Sequence, residues 1–158
     1  MKRTVVTFKT AMPIEATMDF EREYEPELRL DLEEKKALVA AGYAVWMFVD
    51  GALAGETYAV SPTAVGDEID DIDAIHPLML YCYSTTILGP FRGRGLAKVL
   101  VAYSLGQLRQ AGYTTIVGHA TSPAMVHVRA SFGARFGPVH EGWFGTRRVA
   151  RFYRIDLE

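Results

Sequence analysis

The chain has 158 residues, 49% of them hydrophobic and 23% charged, which suits one globular domain over 1–158 and excludes a disordered tail as its main content. A single cysteine, Cys82, rules out an intramolecular disulfide and a cysteine zinc cluster, and the four scattered histidines form no H-x-x-x-H pair, so no metal is expected. The basic start MKRTVVTFKT lacks the apolar run of a signal peptide, and no stretch approaches the ~18 apolar residues of a membrane span; a reducing, cytoplasmic setting without membrane is the expectation.

Charge is divided unevenly along the chain. Up to Pro90 there are 16 acidic and 7 basic residues; from Phe91 onward there are 3 acidic and 10 basic, within an overall net charge of -2. Such a split marks a nucleic-acid or membrane surface, or two ligands of opposite charge.

In chain order, Thr4 to Phe8 is β-branched and aromatic and predicts a first strand. Pro13 opens an acidic, helix-prone region reaching about Ala41 with a break near Pro26, its Leu28, Leu32 and Leu38 expected inward. Tyr43 to Val49 and Leu53 to Val60 read as two strands of a hairpin joined at Asp50-Gly51, a pair suited to the positive φ of a tight turn. The segment GDEIDDID from Gly66 to Asp73 repels itself and belongs in a loop or at a helix start. Leu80 to Leu88 predicts a strand, and a long amphipathic helix runs from Leu96 to a C-terminal cap at Gly112. Thr114 to His119 follows as strand, Pro123 to Phe132 as helix, and Val149 to Leu157 as a last strand. The order predicts a mixed α/β fold.

Between the Leu80 strand and the long helix lies GPFRGRGLAK. The first N–H groups of a helix lack internal acceptors, the helix dipole makes that end positive, and glycines let an anion approach the main chain. Phosphates are therefore expected on the amides of Gly93, Gly95, Leu96 and Ala97, with Arg92, Arg94 and Lys98 adding charge. A P-loop is excluded because no glycine-lysine-serine/threonine ending exists, and a dinucleotide fingerprint because Lys98 stands where its third glycine belongs.

Arg92, Gly95 and Ala97 satisfy R/Q-x-x-G-x-G/A, and the turn resembles the signature of the GNAT superfamily of N-acetyltransferases. Ile87 stands at the family's strand-end valine, Phe91 at its usual tyrosine, and Ser122 to Ala134 has the length and the glycine of its second helix segment. The resemblance implies a GNAT-like acyl-CoA-binding fold, a mixed, mostly antiparallel sheet flanked by helices. It implies acetyl-CoA as acyl donor, with pantetheine pairing to the backbone of Ile87, Leu88 and Gly89, pyrophosphate on the turn, and Ser122 and Arg129 of the second helix facing the cofactor. The reaction implied is direct attack of an amine on a thioester in a ternary complex, which needs juxtaposition, proton removal and carbonyl polarisation.

The family's usual acid and base are replaced. The strand position of its glutamate is Tyr81, and Arg129 occupies the helix position of its tyrosine, where a guanidinium stabilises a thiolate without donating a proton. Local candidates are His119, at the end of its strand, and Glu56 on the hairpin, acting through water, against a solvent-facing alternative for Glu56. Three functions stay open: an N-acetyltransferase for a primary amine, cationic if the acidic segment attracts it; an acyl-CoA-binding sensor or interaction module without turnover; and a nucleic-acid-associated protein. Arg147, Arg148, Arg151 and Arg154 alternate across a strand and form no single basic stripe, which argues against nucleic acid. A homodimer is compatible with all three.

Overall fold

A computed structural model describes residues 3–65 and 71–157. Ten regular elements run along the chain: β1 (Val6–Lys9), α1 (Leu32–Ala40), β2 (Gly42–Val49), β3 (Ala52–Val60), β4 (Met79–Ile87), α2 (Leu96–Gln110), β5 (Thr115–Ala120), α3 (Pro123–Ser131), β6 (Arg135–His140) and β7 (Ala150–Asp156). The strands make one sheet of order β1-β2-β3-β4-β5-β7-β6, antiparallel throughout except where β4 and β5 pair in parallel across the α2 crossover. At the β2–β3 hairpin Asp50 and Gly51 both have positive φ, 49° and 83°, as a type I′ turn requires.

Alternation along each strand builds a core on both faces. Val45, Met47, Leu80 and Ile116 point to the side covered by α2 and α3; Trp46, Tyr58, Met79, Tyr81 and Val117 point to the side covered by α1 and the segment before it. Among the described residues no helix is long and apolar enough to cross a membrane.

Two expectations are revised. The acidic region before Ala41 contains only one α-helix, α1, started by a capping box between Asp31 and Glu34; Ile14–Glu23 and Pro26–Leu28 are 3-10 helices. Ile14, Thr17 and Phe20 recur every three residues, and a three-residue turn stacks them in one column, with Thr17 and Phe20 fully buried. The second revision is β6, over a segment for which the sequence predicts no element. It is a mostly exposed edge strand containing Pro138, so it carries little of the apolar alternation that reveals a strand.

Candidate active site

The sheet opens where the glycine-rich turn begins. β4 pairs with β5 only from Met79 to Cys82, although β4 continues to Ile87 against β3 and β5 continues to Ala120 against β7. The two strands therefore part beyond Cys82, and a cavity of about 940 Å³ fills the opening. Its walls include Ser84 to Ile87 on one side, Ala120 to Ser122 and α3 on the other, and the start of α2 at one end.

At that end Gly93 and Gly95 have φ of 75° and 73°, and a Cβ added to either would meet nothing within 4 Å. The backbone is thus left-handed at two nearby positions with open space above it, and Gly95 caps α2 without any side-chain acceptor. Orphan N–H groups, a positive dipole end and a clear approach together suit an anion. Ile87, Arg92, Gly93, Gly95, Leu96, Ala97, Lys98, Ser122, Arg129 and His119 all line this one cavity. Leu88, Gly89 and Arg94 lie in or beside the turn, but not in the lining.

Contacts already made refine several of those roles. Arg92 donates to Glu23 at 2.7 Å and to the Ile87 carbonyl at 3.1 Å, and the Gly89 N–H donates to the other Glu23 oxygen at 3.0 Å. Glu23 thereby ties the first 3-10 helix to the turn and pairs with the Arg92 guanidinium. Ser122 caps α3 by accepting from the Met125 N–H at 3.2 Å. Arg129 is buried; its Nη2 reaches Thr85 Oγ1 at 2.8 Å and Cys82 Sγ at 3.4 Å, and its Nε has no hydrogen-bond partner among the described residues. A buried donor without an acceptor costs stability, and an acceptor on a bound ligand would satisfy it.

Glu56 is not a solvent-facing strand residue. It is fully buried, its carboxylate held by Lys35 Nζ at 2.9 Å and by Trp46 Nε1 at 2.9 Å, and Lys35 also contacts Glu21 at 3.1 Å. Burial raises the Glu56 carboxyl above its ordinary value against the pull of Lys35 and Trp46. Glu56 lies outside the cavity lining, buried against Lys35 and Trp46. Nor are the α1 leucines the most buried positions of that helix: Lys35 is.

His119 does face the cavity. Its ring lies tilted at 4.4 Å from that of Trp143, its Nδ1 lies 2.8 Å from the Tyr81 hydroxyl, and its Nε2 lies 2.6 Å from Asp71 Oδ2, which His140 Nε2 also approaches at 2.6 Å. Burial lowers the His119 pKa below 6.5, against Asp71, which raises it. These two histidines and one carboxylate come from distant parts of the chain, and no spacing rule in the sequence links them.

The segment from the first 3-10 helix to α1 adds four carboxylates to the cavity wall, Glu21, Glu23, Glu27 and Glu34, together with Arg29, and Glu23 sits at the turn itself. Of the acidic segment Gly66 to Asp73, residues 66–70 lie outside the described residues, while Asp71 is the carboxylate on His119. Tyr24 lines the same wall, its hydroxyl 2.5 Å from Ser84 Oγ and 2.6 Å from Thr86 Oγ1; burial pushes it up to about 12, so it stays protonated. Arg148 adds a strut from the β6–β7 connection, donating to both Glu25 oxygens and to Thr121.

Parallel strands that splay around a glycine-rich helix start, inside a mostly antiparallel seven-stranded sheet, decide the architecture. The chain has the GNAT acetyltransferase fold. Solved structures of that fold superpose on nearly all of it. The ribosomal-protein-S18-alanine N-acetyltransferase from Escherichia coli matches at a TM-score of 0.76 and 10% identity, over 98% of this chain and 95% of its own. A GNAT superfamily phosphinothricin acetyltransferase from Sinorhizobium meliloti, in complex with acetyl-CoA, matches at 0.74 and 15% identity over 96% and 88%. An acetyltransferase from Bacillus subtilis, in complex with CoA, matches at 0.70 and 14% identity over 99% and 100%. No protein-family model and no curated protein sequence matches the chain.

In this GNAT fold Cys82 is one of the residues lining the cavity, with its side chain buried. Burial pushes its thiol up, but Arg129 and the hydroxyls around it outweigh burial and lower it. Reaction is still limited by access. Cys82 in the folded protein is expected to react with a disulfide reagent at least about 100-fold more slowly than in urea, read as thiolate release over time.

Proposed function

We propose that the protein is an acetyl-CoA-dependent N-acetyltransferase for a primary, cationic amine. The observation that carries this reading is the splayed β4–β5 opening, whose one wall set holds both the Gly93–Gly95 cradle and the carboxylates Glu21, Glu27 and Glu34. The cradle suits an anionic cofactor and the carboxylates a cationic acceptor, with Ser84 and His119 lining the same cavity. The GNAT fold and relatives that bind acetyl-CoA or CoA support the donor; Arg129, with a buried donor to spare, suits a thioester oxygen or a departing thiolate. The wall carboxylates support the acceptor.

The groups present fit acetyl-CoA. The cofactor brings the activated acyl group; the chain binds its pyrophosphate on the α2 amides, aligns pantetheine beside Ser84 to Ile87, and excludes bulk water beneath Tyr24 and Arg148. Juxtaposition of this kind supplies much of the acceleration of a bimolecular acyl transfer. The reading of a CoA-binding module without turnover rests on Tyr81 and Arg129 standing where a glutamate and a tyrosine are usual.

The test compares thermal stabilisation by acetyl-CoA, longer acyl-CoAs and free CoA, followed by thiol release with putrescine, spermidine and a lysine peptide. The proposal expects stabilisation by acetyl-CoA and amine-dependent release of CoA. Stabilisation without release from any amine would favour the binding module, and no stabilisation would remove both. Glu27→Gln, which removes one exposed wall carboxylate, is expected to raise KM for spermidine roughly two- to fivefold with little change in kcat.

A further inference from the structure

The hydrogen bonds around His119 fix where the protons are. An ionised Asp71 only accepts, so the two imidazole Nε2 atoms that converge on its Oδ2 both carry hydrogen. Burial opposes Asp71 ionisation, but the hydrogen bonds from His119 and His140 outweigh it and hold its pKa low. With His119 neutral near pH 7 and protonated on Nε2, its Nδ1 is a lone pair, and the Tyr81 hydroxyl at 2.8 Å must donate to it. Tyr81 and His119 both line the cavity. A hydroxyl aimed at a neutral imidazole whose far N–H rests on a carboxylate is the logic of acyl-transfer triads, here with a phenol as the outer member.

We propose that Tyr81, His119 and Asp71 form a proton relay, in which the Tyr81 hydroxyl takes the amine proton during acetyl transfer as it hands its own to His119. The proposal rests on the acetyltransferase reading and supplies its missing base. The amine enters as the free base, its first proton lost to water. Its nitrogen bonds to the thioester carbonyl carbon, the C–S bond breaks, and that electron pair leaves on sulfur. One amine proton moves to Tyr81 Oη while the phenolic proton moves to His119 Nδ1, and the imidazolium forms opposite ionised Asp71. The same relay then returns a proton to the thiolate, leaving amide, CoA thiol and the three residues as they began.

Tyr81 is the catalytic residue of this set; His119 acts through it, and Asp71 and His140 are positioning residues. The groups facing His119 are Asp71 from the segment before β4, Tyr81 from β4, His140 from β6, and the rings of Trp143 and Phe152. Trp143 and Phe152 keep the ring dry, and the convergence of two N–H donors on one oxygen keeps Asp71 ionised when His119 is neutral.

The experiment uses the full chain, acetyl-CoA, and an equimolar mixture of putrescine, spermidine and a lysine peptide as acceptor probe. Tyr81→Phe is expected to lose about 100-fold in kcat with acetyl-CoA affinity unchanged by calorimetry. The ammonium form of the acceptor makes kcat/KM fall toward acid from well above neutral pH, and His119 is expected to add its own, steeper acid limb below pH 6.5. Because Asp71 raises the His119 pKa, Asp71→Asn is expected to move that limb to lower pH, which a purely structural carboxylate would not do. Long-range 1H–15N spectra of the histidine rings should show neutral His119 protonated on Nε2, whichever amine is the acceptor. The relay is overturned by a Tyr81→Phe variant within about threefold of wild-type kcat, by an acid limb that Asp71→Asn leaves in place, or by an Nδ1-protonated His119. Absence of acetyl-CoA binding overturns the acetyltransferase reading instead, while binding without turnover of any of the three amines favours the non-catalytic module and removes the relay with it.

Discussion

Lys35→Ala is expected to destabilise the fold by about 3–5 kcal/mol, a large share of the stability of a domain this size. Lys35 is fully buried and holds two carboxylates, Glu56 at 2.9 Å and Glu21 at 3.1 Å, besides donating to the Thr17 carbonyl at 3.0 Å. Its removal leaves two buried anions with no counter-charge. Paired charges in an interior are no great source of stability compared with apolar packing, but breaking one pair from one side is costly. The loss also uncouples elements, because Glu21 belongs to the first 3-10 helix and accepts from the Leu30 N–H, while Glu56 belongs to β3. The cover over one face of the sheet is pinned at Lys35. Glu56→Gln, which keeps an acceptor for Trp46, should cost less, about 1–2 kcal/mol. Urea unfolding monitored by tryptophan fluorescence measures both; a Lys35→Ala loss under ~1 kcal/mol would mean that the ion pairs are not formed in solution.

The second large effect is on the cofactor turn. Gly95→Val is expected to weaken acetyl-CoA binding at least about 100-fold, ~2.7 kcal/mol. Gly95 has φ of 73°, a region that a β-branched residue enters only with strain, and the space above it is empty where the phosphates would rest. The valine side chain would both distort the start of α2 and occupy the approach to its amides. Gly106→Ala is the matched control. It lies in the same helix with open space at its Cβ and no positive φ, so it should gain roughly 0.5–1 kcal/mol in stability with unchanged binding.

What the sequence reveals, and what it withholds, divides along the distance over which the information acts. The Asp50-Gly51 hairpin, the strand into GPFRGRG, the long α2 and the cofactor end of the cavity are written locally, in turn chemistry and in period. Each was legible within a few residues of ~3.6- or 2-residue repeats. The Lys35–Glu56 support was not. A lysine and a glutamate 21 positions apart read as solvated surface, and only the packing of α1 across β3 takes them out of water. The cluster of Tyr81, His119, Asp71 and His140 was hidden for the same reason, although His119 and Tyr81 each stood out for other causes. Parallel pairing sets Tyr81 opposite Val117, two residues before His119, a register that follows from the β4–α2–β5 crossover and not from either segment alone. The 3-10 helices escaped because three-residue spacing over so short a span also fits an α-helical face.

The charge asymmetry is legible in the sequence but changes meaning in the structure. Glu21, Glu23, Glu27 and Glu34 from the acidic first half and Arg92, Lys98 and Arg129 from the basic second half line one cavity, and two of the glutamates also brace the structure, Glu21 through Lys35 and Glu23 through Arg92.

Calorimetric titration of the full chain with acetyl-CoA, beside the Gly95→Val variant, tests the central claim most directly. One molecule of acetyl-CoA bound per wild-type chain, with at least about 100-fold weaker binding to Gly95→Val, is the predicted result. Wild-type protein that takes up no acetyl-CoA, or a Gly95→Val variant that binds it as tightly as wild type, would contradict it.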